Sequence, residues 1–86
     1  MPYRLVIKPS AVRELEAIEP TTALERVVAA VRALAETPRP AGAEKLSGRK
    51  QLFRIRVGRL RVLYQVDEEA RTVRVVTIGH RRDVYR

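Results

Sequence analysis

Apolar and polar residues alternate most regularly across residues 51–66, QLFRIRVGRLRVLYQV. Phe53, Ile55 and Val57 alternate with Arg54 and Arg56. Leu60, Val62 and Tyr64 alternate with Arg61 and Leu63. A period of two is the mark of a half-buried strand. Gly58-Arg59, between the two runs, is the Gly-X connection that tight two-residue hairpins prefer. If Val57 faces Leu60, then Arg56 faces Arg61 and Ile55 faces Val62. One face of the predicted hairpin is then apolar. The other gathers Arg54, Arg56 and Arg61. Like charges directly opposite each other destabilise a sheet, so this face is built to receive an anion.

The rest of the pattern supplies the partners of that hairpin. Tyr3, Leu5 and Ile7 alternate with Arg4, Val6 and Lys8, giving a short first strand. After Pro9, Ser10 is placed to cap a helix in which Ala11, Leu15 and Ile18 share a face. Glu19-Pro20 ends that helix. Thr22 and Glu25 have the spacing of a capping box. The helix they open carries Leu24, Val27, Val28, Val31 and Leu34 on one stripe and Glu25, Arg26, Arg32 and Glu36 opposite. A loop is predicted from Pro38 to about Lys50, rich in turn residues, with Leu46 anchoring it to the core. The acidic turn Asp67-Glu68-Glu69 follows the hairpin, and a last strand spans about 72–78. The last three strands are close enough in sequence to form an antiparallel meander. The first strand must join them to pair its backbone. The predicted fold is α+β: two N-terminal helices on one face of a small, mainly antiparallel four-stranded sheet, β-α-α-β-β-β.

Composition changes the picture in two ways. At 86 residues the chain is read as a single domain, 1–86, with one modest core. It has no cysteine and one histidine, so a disulfide, a thiolate nucleophile and a cysteine metal site are excluded. The start, MPYRLVIKPS, is too short and too charged for a signal peptide, and no apolar run approaches membrane-spanning length. A cytoplasmic protein is expected, with no membrane partner. The net charge of +8 is unevenly placed. Residues 1–44 are neutral overall, whereas residues 45–86 carry twelve Lys or Arg against four Asp or Glu. That asymmetry points to a polyanionic partner. A solvated basic surface is the plainer reading; the alternation with a buried face favours the specific one. Phe53 and three tyrosines are the only aromatic residues, too few for a base-stacking platform.

The segments YRLVIKPSAVRELEAI, ALAETPRP, EKLSG, FRIRVGRLRVLYQVD and VVTIGHRRDVYR together resemble the RelE/ParE superfamily of toxins from toxin–antitoxin pairs. The likeness runs along the whole chain, and the hairpin and tail are its specific parts. It implies a RelE-like fold, a cognate antitoxin partner, and one of two activities. The RelE branch cleaves mRNA on the ribosome without a metal; the ParE branch inhibits DNA gyrase. The resemblance places Arg54, Arg56, Arg61, Arg81 and Tyr85 at the catalytic positions of RelE-like nucleases. Arg replaces the lysines usual at Arg54 and Arg56. Lys45, Arg49, Lys50, Arg59, His80 and Arg82 are the further residues expected to contact RNA.

The chemistry can be judged separately. RNA is cut when its own 2′-hydroxyl attacks the neighbouring phosphate, so neither a protein nucleophile nor a cofactor is needed. The reaction needs a base, an acid, and cations for the charge that builds on phosphorus. Arginines meet the last need with geometry matched to phosphate, but they do not shuttle protons. Tyr85 and His80 are left for proton transfer. Tyr85 reads equally as a packing residue of the tail, and His80 as a polar loop residue beside Arg81. Tyr64, on the apolar face, reads as structural. The five positions taken together favour the nuclease over the gyrase inhibitor.

Overall fold

The computed structural model describes residues 2–47 and 51–80. The chain forms β1 (Arg4–Ile7), α1 (Pro9–Glu16), α2 (Thr21–Ala33), β2 (Glu44–Ser47), β3 (Leu52–Val57), β4 (Leu60–Asp67) and β5 (Thr72–His80). The strands make one mixed sheet in the order β1-β5-β4-β3-β2. β3, β4 and β5 are the antiparallel meander expected from the sequence, and β1 joins β5 in parallel at the far edge.

The α+β class and both helices are as predicted, but the sheet has five strands rather than four. The extra strand, β2, lies inside the predicted loop and pairs antiparallel with β3. Its four residues carry no period-two signal, because a register shift falls between Lys45 and Ser47. Leu46, expected to anchor this segment in the core, is only half-buried. Ala43 packs against the core instead. β5 also runs two residues further than expected, to His80.

Neither predicted side-chain cap forms. Pro9, preset for the first helical turn, starts α1 one residue before Ser10, and the cap position falls on Lys8. Pro20 takes the cap position of α2, and neither helix has a side-chain cap bond at its N-terminus. The apolar stripes hold. Ala11, Val27, Val31 and Leu34 are buried against Phe53, Ile55, Val62, Tyr64, Val66, Val73, Val75 and Ile78 of the sheet. Both helices therefore cover one sheet face. Gly58 turns the β3–β4 hairpin at φ +62°, the left-handed region that glycine enters without steric cost.

Tyr64 is the largest fully buried side chain. Its ring stacks on Phe53 at 5.8 Å between centroids, and its hydroxyl donates to the Pro38 carbonyl at 2.7 Å. The sequence reading of Tyr64 as structural is correct. The bond ties the α2–β2 connection to the centre of the sheet. Arg39 continues that tie, lying over the Phe53 ring at 5.3 Å and pairing with Glu68 in the β4–β5 turn. Tyr3 donates to the same carboxylate at 2.6 Å. Hydrogen bonds from Tyr3 and Arg39 hold the Glu68 carboxyl below its usual range. The pair with Glu68 raises Arg39. No helix among the described residues is long and apolar enough to cross a membrane.

Candidate functional site

The sheet face turned away from the helices is set by strand alternation. Phe53, Ile55, Val62 and Tyr64 point into the core, so Arg54, Arg56, Arg61 and Leu63 point the other way. The register is the predicted one: Arg56 is directly opposite Arg61, Ile55 opposite Val62, and Val57 opposite Leu60. Three of the five candidate catalytic residues are thus brought together on two neighbouring strands. The other two, Arg81 and Tyr85, lie outside the described residues.

The three arginines are not equivalent. Arg56 is exposed. Arg61 is 6 % exposed, the one buried charged residue among those described. It lies on the central strand, flanked by Arg56 on β3 and Gly79 on β5. Gly79 presents no side chain, which leaves room on that flank for a guanidinium. Burying a charge costs several kcal/mol unless partners compensate it, so its place is strongly determined. The Arg54 side chain is 11 % exposed and forms an ion pair with Glu44, directly opposite on β2. Both Arg54 and Arg61 bury their Nε atoms and are held by further contacts.

Glu44 is the residue that sequence reasoning passed over. It was assigned to a loop, and only the register of β2 brings its carboxylate onto the arginine face. Reading residues 44–47 as a strand against β3 would have found it. Its side chain is 57 % exposed and forms an ion pair with Arg54. Burial pushes the Tyr64 phenol up to about 12, and its hydroxyl is already committed to Pro38.

The expected auxiliary residues disperse. Lys45 is exposed on the edge strand opposite Phe53, whose side chain faces the helices. Arg59 is exposed at the hairpin turn. His80 pairs with Leu60, which puts it on the helix side of the sheet, away from Arg61. Arg59 and His80 line a groove of about 850 Å³, with Glu14, Ile18, Arg26, Val57 and Ile78. Glu14 also accepts the Ile78 N–H there, at 2.9 Å. Arg49, Lys50 and Arg82 lie outside the described residues. Among the described residues, no cluster of three or more His, Cys, Asp or Glu could hold a metal ion.

What this face offers chemically is fixed positive charge: two held guanidinium groups and one exposed one, with a single carboxylate at the rim. Such an array suits an oxyanion with several oxygens, since each guanidinium can present paired N–H donors.

Comparison with known proteins agrees with the fold. A family model described as "ParE toxin of type II toxin-antitoxin system, parDE" matches residues 5–85. The chain is 31% identical over 86 residues to Toxin RelG of Mycobacterium tuberculosis, covering 100% of this chain and 99% of that protein. The RelBE2 toxin–antitoxin complex of Mycobacterium tuberculosis contains a similar chain. The TM-score is 0.78 with 29% identity, covering 94% of this chain and 100% of that one. A mutant of the E. coli toxin RelE in the free state gives a TM-score of 0.80 and 26% identity, covering 98% of this chain and 88% of that one. The chain therefore belongs to the ParE toxin family of type II toxin–antitoxin systems, within the RelE/ParE superfamily.

Proposed function

We propose that this toxin is an mRNA endoribonuclease of the RelE kind, acting on translating ribosomes in the cytoplasm and so blocking translation. The observation that carries the reading is the placing of Arg61. It is a buried, held arginine on the face away from the helices, with Arg56 opposite and Arg54 two residues further along β3. A fold gains nothing from two arginines facing each other unless something negative lies over them. In the proposed reaction, the 2′-oxygen attacks phosphorus and the bond to the 5′-oxygen breaks. The products are a 2′,3′-cyclic phosphate and a 5′-hydroxyl. Arg54, Arg56 and Arg61 stabilise the charge that builds on the phosphate oxygens. Arg81 adds to them, and Tyr85 handles a proton, as the resemblance implies. No metal or cofactor takes part.

A cognate antitoxin is the expected protein partner, since similar chains occur in toxin–antitoxin complexes. A second reading is inhibition of DNA gyrase, which the resemblance implies for the ParE branch; the matching family model is described as a ParE toxin. One experiment separates the two. Purified protein is added to defined mRNA with and without ribosomes, and to gyrase with supercoiled DNA. The nuclease reading expects new primer-extension stops on ribosome-bound mRNA and no DNA cleavage complexes. Intact mRNA together with trapped gyrase–DNA complexes would replace it with the second.

A further inference from the structure

The arginine face continues beyond the hairpin. Leu5 and Ile7 of β1 pair with Val73 and Val75 and pack with the core. Arg4 and Val6 therefore point to the arginine side, and Lys8 continues that alternation. On β5, Arg74 stands between Gln65 and Val6, also on that side. Arg4, Lys8 and Arg74 are all exposed. Among the described residues none of the three pairs with a carboxylate. Asp67, at the end of the same face, accepts the Ala70 N–H in its own turn.

Distance separates this group from Arg61. Arg61 to Gln65 is four residues along β4, and Arg74 is one strand over, which at ~3.3 Å per residue and ~4.8 Å per strand is roughly 14 Å. Arg4 is further still. A phosphate bound at Arg61 cannot also touch Arg74, so the second group needs anions of its own. The intervening positions on this face are uncharged: Leu63, Gln65, Thr77, Gly79, Val76 and Val6. No aromatic side chain lies there among the described residues, because Tyr3, Phe53 and Tyr64 all belong to the core side. Bases would find no aromatic ring to stack on, whereas a phosphate backbone leaving Arg61 would meet cations again at Arg74, Lys8 and Arg4.

We infer that Arg4, Lys8 and Arg74 form a second, non-catalytic strip that binds the phosphate backbone of the single-stranded RNA flanking the site at Arg61. The inference rests on the nuclease reading above and adds a binding register to it. The strip is sequence-independent and sets how much RNA the toxin holds, not how fast it cuts.

The test is fluorescence anisotropy of the full-length protein with a labelled 12-nucleotide RNA and a labelled trinucleotide, each titrated over a range of KCl. The double variant R4E/R74E should bind the 12-mer at least tenfold more weakly. Its log K against log salt slope should be shallower by about 1.4, two phosphates' worth at ~0.7 each. Trinucleotide binding should be unchanged, and R74K should behave as wild type. Equal affinity and slope for R4E/R74E and wild type on the 12-mer would overturn the strip while leaving the nuclease reading standing. Wild-type protein that binds the 12-mer no better than the trinucleotide would also overturn the strip, while the nuclease reading stands or falls on ribosome-bound mRNA. Loss of antitoxin binding in R4E/R74E, with RNA binding intact, would overturn the inference and assign the strip to the protein partner.

Discussion

Arg56 and Arg61 face each other directly across the β3–β4 hairpin, the first exposed and the second 6 % exposed. Like charges directly opposite each other on a sheet repel, and solvent at the exposed Arg56 keeps that repulsion modest. An anion bound over the face would offset that repulsion. Arg56→Gln should raise stability by about 0.5–1 kcal/mol, as surface-charge optimisation commonly does. In a domain of this size that corresponds to a Tm rise of roughly 2–8 °C. The same variant should cleave RNA more slowly. A lower Tm for Arg56→Gln would show that the pair is not repulsive.

Glu44 neutralises Arg54 from the adjacent edge strand. Removing its charge takes away one anion that competes with phosphate for Arg54. Glu44→Gln should bind single-stranded RNA about three- to tenfold more tightly at low salt, a gain of roughly 1 kcal/mol that added salt erodes. Anisotropy titrations at two ionic strengths measure it. Weaker binding would mean that Glu44 holds Arg54 in its working position rather than competing for it.

Tyr64 links the Pro38 carbonyl to the sheet. Tyr64→Phe keeps the stack on Phe53 but deprives that carbonyl of its donor, at a cost of ~1–3 kcal/mol. The pH dependence has a definite sign. Burial raises the folded phenol from 10.0 to about 12, so the folded state holds its proton more tightly than the unfolded chain. That contribution is complete below pH 10 and is lost as pH rises from about 10 to 12. Urea melts at pH 8 and pH 11 should show wild type losing more stability between the two than Tyr64→Phe. Equal losses would contradict the assigned burial of the phenol.

Much of this was legible in the residues because period-two alternation reports burial directly. Phe53, Ile55, Val62 and Tyr64 announce the core face, Gly58 announces the turn, and the register follows from the two. β2 was not legible, because a four-residue edge strand with an irregular pairing carries no alternation. With it went Glu44, whose role exists only through its partner on β3. His80 was misplaced for a related reason. Treated as a loop residue two positions past a strand ending at Ile78, it could be set beside the arginines. As the last residue of β5 it must alternate with Gly79 and fall on the helix side. Helix caps were misjudged because Pro9 and Pro20 fix the first turns ahead of Ser10 and Thr22. Arg4 and Arg74 are ordinary charged positions in sequence, and only the parallel pairing of β1 with β5 puts them on the arginine face.

The central claim is that buried Arg61 stabilises charge on a scissile phosphate. The most direct measurement compares wild type and Arg61→Ala on ribosomes carrying one defined mRNA, using protein verified as folded by its melting curve. Wild type should cut the mRNA, and Arg61→Ala should cut it about 10²–10³-fold more slowly, the loss typical of a removed transition-state donor. Equal cleavage by the two folded proteins, or no cleavage by either, would contradict the account.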